Sequence, residues 1–453
     1  MTSTPDTATD TETAADALQA GADITALFGY DQATLRCPHP IFARLRREDP
    51  VHFVPDFGDS GTYVVTRHAD ITAVLHNPDT YRSLTPTGPP PPGLIESVLE
   101  LVAANPDYAQ ALGQTAQLPP VLLLADGAAH RRHRSLIAKA FAAKAANQQE
   151  AVVRAAAHDI IDTFIDDGEI DLVTQFAHPL PIMIMSDLLG IDRRELPRVK
   201  TWASAFLSAT MGFRLDTDAV GRILRSQIEF WDFMQTEIAD RRERPRADLL
   251  SQLVQATAAG EAPLSDDELL AIMIQLVTAG TESTGNVLAN GMLLMLTEPD
   301  LLARARSSPE SLGAVVEEIL RVESPVRGLF RNTIADTELA GVPIPANSLV
   351  WLAYASGNRD DTVFNDPDAF DAARPQPGHL AFGQGAHFCA GAHLGRVEVR
   401  VALEVLLDRL ADITVVPGQT LTYHESFLVN GPTNLRIRFT KPSTRPPIPE
   451  IGE

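Results

Sequence analysis

The amino-acid sequence predicts a mainly α-helical domain with small β-sheets (α+β). Three observations carry this reading. In the middle of the chain apolar residues recur at helical spacing, as in Leu224, Ile228, Trp231 and Ile238 ahead of Pro245. After Ser265 an apolar run continues to about Thr297, and about 30 residues at 1.5 Å each make a helix of about 45 Å, enough to cross a large domain. The two flanks, in contrast, carry only short β-rich runs bounded by turn residues.

Taken in order, residues 1–25 are rich in Thr, Ala and Asp, hold no Lys or Arg, and are expected to form a disordered acidic tail. A single domain is expected over 26–440, because no interior shift in composition marks a linker. Val51–Val54 and Tyr63–Thr66 read as strands either side of a Gly/Asp turn. Residues 86–93 hold four successive prolines between glycines and exclude regular structure. Leu94, Val98, Leu101 and Val102 mark a short amphipathic helix, and the chain after 106 is read as irregular to about Pro120. Ser265 with Glu268 is a capping box that starts the long helix. Val342–Pro345 and Leu349–Leu352 are extended pieces flanking a turn, and Leu435–Phe439 alternates as a strand does. Residues 441–453 are read as a flexible Pro-rich tail.

Composition narrows the function. Two cysteines, Cys37 and Cys389, exclude a disulfide framework and suit a reducing compartment. The N-terminal stretch lacks the basic start and apolar core of a signal peptide, and no run reaches the 18 or so apolar residues of a membrane span, so a soluble, cytoplasmic protein is expected. A net charge of −22 argues against nucleic acids and anionic membranes as partners. Gly127–Gln149 departs from that background: it holds no acid but carries Arg131, Arg132, Arg134, Lys139 and Lys144. It reads either as a solvated helix face or as a dock for an acidic partner.

The most specific chemistry sits in Phe382–Gly391. Cys389 lies in a glycine-rich turn directly before a helix whose apolar face carries Leu394, Val397, Val401 and Val405. Gly383 and Gly385 permit backbone angles closed to other residues, and Gly391 leaves room for a flat group against the backbone. Backbone N–H groups and the helix N-terminus both favour a thiolate. A lone cysteine in an apolar setting is ordinarily a small core residue. The spacing of the whole loop points elsewhere. Inside the long helix, Ala279-Gly280-Thr281-Glu282-Ser283-Thr284 places two small and four polar residues in an apolar run. It reads as a kink of hydroxyls bonded back to the helix, or as a place where a planar cofactor or O2 approaches the backbone.

These residues resemble the cytochrome P-450 superfamily. The loop matches every specified position of Phe-Gly-x-Gly-x-His-x-Cys-x-Gly at Phe382, Gly383, Gly385, His387, Cys389 and Gly391, and the likeness extends from about Pro38 to about Phe439. The resemblance implies a triangular helical prism around a buried haem b, with Cys389 as the axial thiolate of the iron. It implies that Ala279-Gly280 with Glu282, Ser283 and Thr284 serve oxygen activation and proton delivery, Ser283 standing where the family usually has Thr and Thr284 being able to substitute. It places the haem propionates at His130, Arg134, Arg331 and His379, with Arg327 a competing register for Arg331, and gives Glu318, Arg321 and Arg374 a buried structural network. Substrate contacts are expected from Leu94, Val98, Phe206, Val277, Leu329, Phe427 and Leu428, with the Pro-rich 86–93 as a lid.

The implied function is a soluble bacterial-type haem-thiolate monooxygenase of a hydrophobic small molecule. Electrons come from NAD(P)H through a separate ferredoxin and ferredoxin reductase, because the chain has no redox domain of its own. The basic island is the expected ferredoxin dock. Oxidative C–C or C–N coupling, a peroxide-driven peroxygenase and a non-catalytic haem sensor are the alternatives. Glu282-Ser283 speaks against the peroxygenase, whose relatives carry Arg-Pro there.

Overall fold

The computed structural model of the protein describes residues 23–90, 93–256, 263–374 and 378–442. Both expected tails fall almost entirely outside these residues. Ile24, placed in the acidic tail by the sequence reading, instead opens a short helix, Ile24–Phe28, and is fully buried.

Among the described residues, ten strands form three small sheets. They are β1 Val51–Val54, β2 Thr62–Val65, β3 Tyr81–Arg82, β4 Glu169–Asp171, β5 Leu329–Thr333, β6 Thr337–Leu339, β7 Val342–Ile344, β8 Leu349–Leu352, β9 Ala411–Val415 and β10 Arg436–Thr440. The largest sheet runs β1-β2-β8-β5-β3, the second β4-β10-β9, and β6-β7 is a hairpin. β7 and β8, neighbours in sequence, therefore belong to different sheets. β2 and β8 pair in parallel, with Val64 opposite Trp351, which ties the N-terminal segment to the last third of the chain.

The longer elements among the described residues are helices. The long helix spans Asp266–Thr297 and starts as its sequence demands: Ser265 Oγ accepts from Glu268 N at 3.1 Å and Glu268 Oε2 accepts from Ser265 N at 2.9 Å. Asp266, Asp267 and Glu268 place negative charge on its positive end. It packs against helices Pro179–Leu189, Leu196–Thr210 and Ala392–Arg409, and the main core gathers around it. A second core of Phe28, Phe42, Phe330, Trp351 and Phe427, joined by Phe57, lies on the five-stranded sheet.

Two local expectations change. The stretch after 106 is a helix, Pro106–Gln117, not an irregular segment: Asn105 accepts from Asp107 N at 3.0 Å as its cap, and proline occupies the first turn. Asn-Pro reads as a turn, yet it is also how a helix begins. The described part of the Pro-rich segment, where a lid is expected, packs against β5. Pro86 O accepts from Phe330 N at 2.8 Å, Thr85 bonds Asn332, and a Cβ on Gly88 would stand 2.7 Å from the Phe330 ring.

Candidate active site

The cysteine loop is closed by backbone bonds. Cys389 N donates to Phe382 O and Gly383 N to Leu380 O, both at 2.9 Å. Gly385 is required twice over: its φ of 69° is left-handed, and a Cβ there would lie 2.2 Å from the Leu75 carbonyl oxygen. The Gly391 N–H bonds the Cys389 sulfur, and the helix Ala392–Arg409 starts at the next residue. Burial nevertheless pushes the Cys389 thiol up, against the pull of Gly391, Arg134 and Arg396. The loop by itself holds a thiol; a thiolate needs a further cation at the sulfur, which a bound metal supplies. Cys389 keeps accessible surface, as do Phe388 beside it and Ala279 on the long helix.

A cationic group stands around the loop. Arg134, from helix Gly127–Phe141, donates to Phe388 O at 2.9 Å. The His130 ring lies 4.2 Å from the His387 ring, and His387 Nε2 is 3.2 Å from Asp126 Oδ1. Burial lowers His130 to about 4 and also lowers His387, with His387, Arg134 and Arg331 adding repulsion. Arg331 on β5 is buried and donates to Phe330 O at 2.7 Å. Such a cluster suits two carboxylates. His379, expected in it, is turned elsewhere. Its Nε2 is 3.1 Å from Glu317 Oε2 and its Nδ1 accepts from Ala381 N, while Arg396 pairs with the same glutamate. His387 is a loop histidine within the field of Arg331. Arg327, the competing register, donates to the carbonyls of Leu35, Ser426 and Val429 and to Asn430 Oδ1.

The long-helix hexapeptide spreads around the helix, since successive residues turn by about 100°. Ala279 is exposed. Gly280 lies beside helix Pro179–Leu189, where a Cβ would be 2.1 Å from Met185 Cε, the mobile end of that side chain. Thr281 and Ser283 donate back to Val277 O and Ala279 O at 2.9 and 2.8 Å. The helix stays continuous through them. Glu282 Oε1 lies 3.7 Å from His178 Nδ1 and 3.4 Å from His424 Nε2. Burial drops His424 to about 4. Thr284 is buried and bonds the carboxyl of Glu398, which burial pushes up to about 8.

His178, His424 and Glu398 were not singled out from the sequence. Glu398 left a legible trace: it falls four residues after Leu394 and three before Val401, on the apolar stripe itself. His178 and His424 left none, because tertiary folding alone brings them to Glu282.

Behind the loop, Arg321 donates Nε to Glu318 Oε2 at 2.8 Å and Nη2 to Oε1 at 2.7 Å, and Arg374 Nε reaches Oε1 at 3.3 Å. Arg321 also bonds Asn358 O at 2.8 Å, and Asn358 Oδ1 accepts from Leu380 N at the start of the loop.

The substrate candidates are mostly core. Phe206 packs edge-on to Phe230 at 5.1 Å, Val277 is fully buried, and Phe427 and Leu428 belong to the aromatic core. Leu329 packs on the cluster under the sheet. Leu94 and Val98 face helix Thr217–Glu243, leaving Ile95 and Leu99 on the exposed face. An amphipathic stripe marks what a helix buries against its own protein, so it is a poor guide to ligand contacts. In the basic island Arg132 is committed to Glu268 at 2.6 Å, whereas Arg131, Lys139 and Lys144 are exposed. A surface cleft of about 440 Å³ lined by Leu294, Arg304, Glu323 and Arg359 holds none of these residues.

Residues 100–435 match the Cytochrome P450 family. The chain is 32% identical to cytochrome P450 107B1 of Saccharopolyspora erythraea over 418 residues, covering 92% of this chain and 98% of that protein. It is 31% identical to the linalool 8-monooxygenase of Pseudomonas putida over 408 residues, 90% and 97% of the two chains. Among solved structures, the cytochrome P450 CYP109Q5 of Chondromyces apiculatus superposes with a TM-score of 0.78 at 32% identity, over 93% of this chain and 99% of that one. The chain belongs to the cytochrome P450 family. It is a cytochrome P450 monooxygenase, a haem-iron oxidoreductase. Among the described residues no helix is long and apolar enough to cross a membrane.

Proposed function

We propose that the protein binds haem b through Cys389 and inserts one oxygen atom of O2 into a hydrophobic small molecule, by hydroxylation or epoxidation. The single observation that carries this is the Gly391 N–H bonded to the Cys389 sulfur at the start of a helix, with Arg134 in electrostatic reach. Haem, when bound, supplies the iron centre at which O2 takes two electrons and two protons, one oxygen entering the substrate and the other leaving as water. Arg134, Arg331, His130 and His387 hold the propionates; His379 acts one step out, fixing Glu317 and through it Arg396. Glu282 admits protons and Ser283 passes them on, once its hydroxyl rotates off the Ala279 carbonyl. Thr284 is turned to Glu398 and offers a second hydroxyl only by leaving it.

Electrons from NAD(P)H reach the protein through a separate ferredoxin and ferredoxin reductase in the cytoplasm, the ferredoxin docking at Arg131, Lys139 and Lys144. The relatives include a linalool monooxygenase and a mycinamicin IV hydroxylase/epoxidase of Micromonospora griseorubida. They support a role in bacterial secondary metabolism or in terpenoid, steroid or aromatic catabolism. The test is product formed per NAD(P)H with a ferredoxin system against turnover with peroxide. Product from peroxide alone overturns the reading in favour of a peroxygenase.

A further inference from the structure

We propose that His178, Glu282 and His424 form a binding site for one zinc-class divalent cation, built on the carboxylate assigned above to proton entry. The three donors come from segments far apart in sequence: the residue before helix Pro179–Leu189, the middle of the long helix, and the turn-rich chain after β9. One ring nitrogen from each histidine and one oxygen of Glu282 all lie within 4.8 Å of one another. Donors about 2.0–2.1 Å from a tetrahedral ion stand about 3.3 Å apart. The separations of 3.4 and 3.7 Å from Glu282 Oε1 are close to that spacing, and the two ring nitrogens, within 4.8 Å of each other, close around a metal by drawing together by at most about 1.5 Å.

The surroundings are those of a metal site. The His178 and His424 rings are parallel to within 4°, with centroids 6.4 Å apart, and all three side chains are largely buried. His424 Nε2 is buried and makes no hydrogen bond, although it is turned toward the carboxylate. His178 Nε2 is 3.4 Å from Asn286 Oδ1 on the same helix as Glu282, which fixes the ring so that Nδ1 is the nitrogen presented. Gly285 makes this possible, because a Cβ there would stand 2.4 Å from His178 Cδ2. Two imidazoles and one carboxylate, with a fourth position for water, select zinc over magnesium or calcium, which prefer all-oxygen sets. Arg327 is the opposing charge near His424, and its guanidinium is held by backbone carbonyls on the other side.

Occupied, the site places a cation on Glu282 and withholds that carboxylate from proton transfer. This consequence rests on the proposed role of Glu282; the binding does not. Chelator-treated holoenzyme is dialysed against zinc sulfate in excess magnesium, and zinc per haem and zinc-edge X-ray absorption are measured. One zinc per chain with two imidazoles in its first shell is expected. Binding should be lost in His178→Ala and His424→Ala, and weakened about 10-fold in Asn286→Ala, where only the supporting contact goes. The reduced-CO band certifies that each variant is folded, and His178→Gln serves if His178→Ala is not. No stoichiometric zinc in the wild type, or equal uptake by both histidine variants, overturns the proposal. Zinc that binds as described without slowing turnover upholds the site and removes Glu282 from proton delivery.

Discussion

At Cys389 two opposing effects meet: burial favours the thiol, while the Gly391 N–H and two guanidiniums favour the thiolate. A bound iron decides between them, so Cys389→Ala is expected to abolish the red-shifted reduced-CO band of a thiolate-ligated haem. Retention of that band in the variant refutes the assignment. Ser283 gives a finer test. Its hydroxyl rests on Ala279 O, and it lacks the methyl group that restricts a threonine rotamer. Ser283→Ala should keep the spectrum and substrate affinity but divert electrons from NAD(P)H to peroxide, and Ser283→Thr should be tolerated. Coupling that is unchanged in Ser283→Ala would pass the proton role to Thr284 or to water. Glu398 adds a pH signature. Its folded value of about 8 lies above the unfolded 4.3 or so, so its contribution to stability is complete below about 4.3 and is lost as pH rises through about 8. The slope attributable to it reaches about 1.4 kcal/mol per pH unit, and Glu398→Gln should flatten denaturation profiles by that much between about pH 5 and 8.

At the scale of elements, what supports the cysteine loop is a helix that never reaches it. Glu318 and Arg321 are buried on Pro309–Val322, and their network leads through Asn358 to the backbone of Leu380. Arg321→Ala leaves the Glu318 carboxylate buried with Arg374 and the Asp371 N–H beside it, and a loss of roughly 3–5 kcal/mol with weakened haem retention is expected. Arg321→Lys should recover little, since a point charge cannot reproduce the two-pronged contact. Denaturation of both holoprotein variants, with haem release followed by absorbance, reads this directly. Wild-type stability in Arg321→Ala would show the network to be dispensable. The long helix was legible from its capping box and apolar length, whereas Pro106–Gln117 was not. Its start, Asn105-Pro106, is a turn signal and a helix start at once, and only packing chooses.

For the whole molecule, the charge pattern is the strongest lever on partners. A chain of net charge −22 that keeps Arg131, Lys139 and Lys144 exposed on one basic segment offers an acidic protein one attractive approach. Arg132 is occupied by Glu268 and adds to helix docking rather than to steering. Reversal of Arg131, Lys139 and Lys144 to Glu should lower the rate of reduction by an acidic ferredoxin and flatten its salt dependence. Equal rates at low salt would move the dock elsewhere.

The sequence by itself determined the helical class, the long helix and its cap, the short strands, the cysteine loop and the Glu318–Arg321 pair. Each is local: the residues that define it lie within a few turns of one another, and their spacing carries the physics. Tertiary structure alone decided which side chains meet across the fold. It brought His387 to His130 and His379 to Glu317, turned Gly280 to Met185, set Phe206, Phe427 and Leu428 into packed cores, and brought His178 and His424 to Glu282. Contacts between segments separated by a hundred residues or more follow from how helices and sheets bury their apolar faces together, and no local spacing records that.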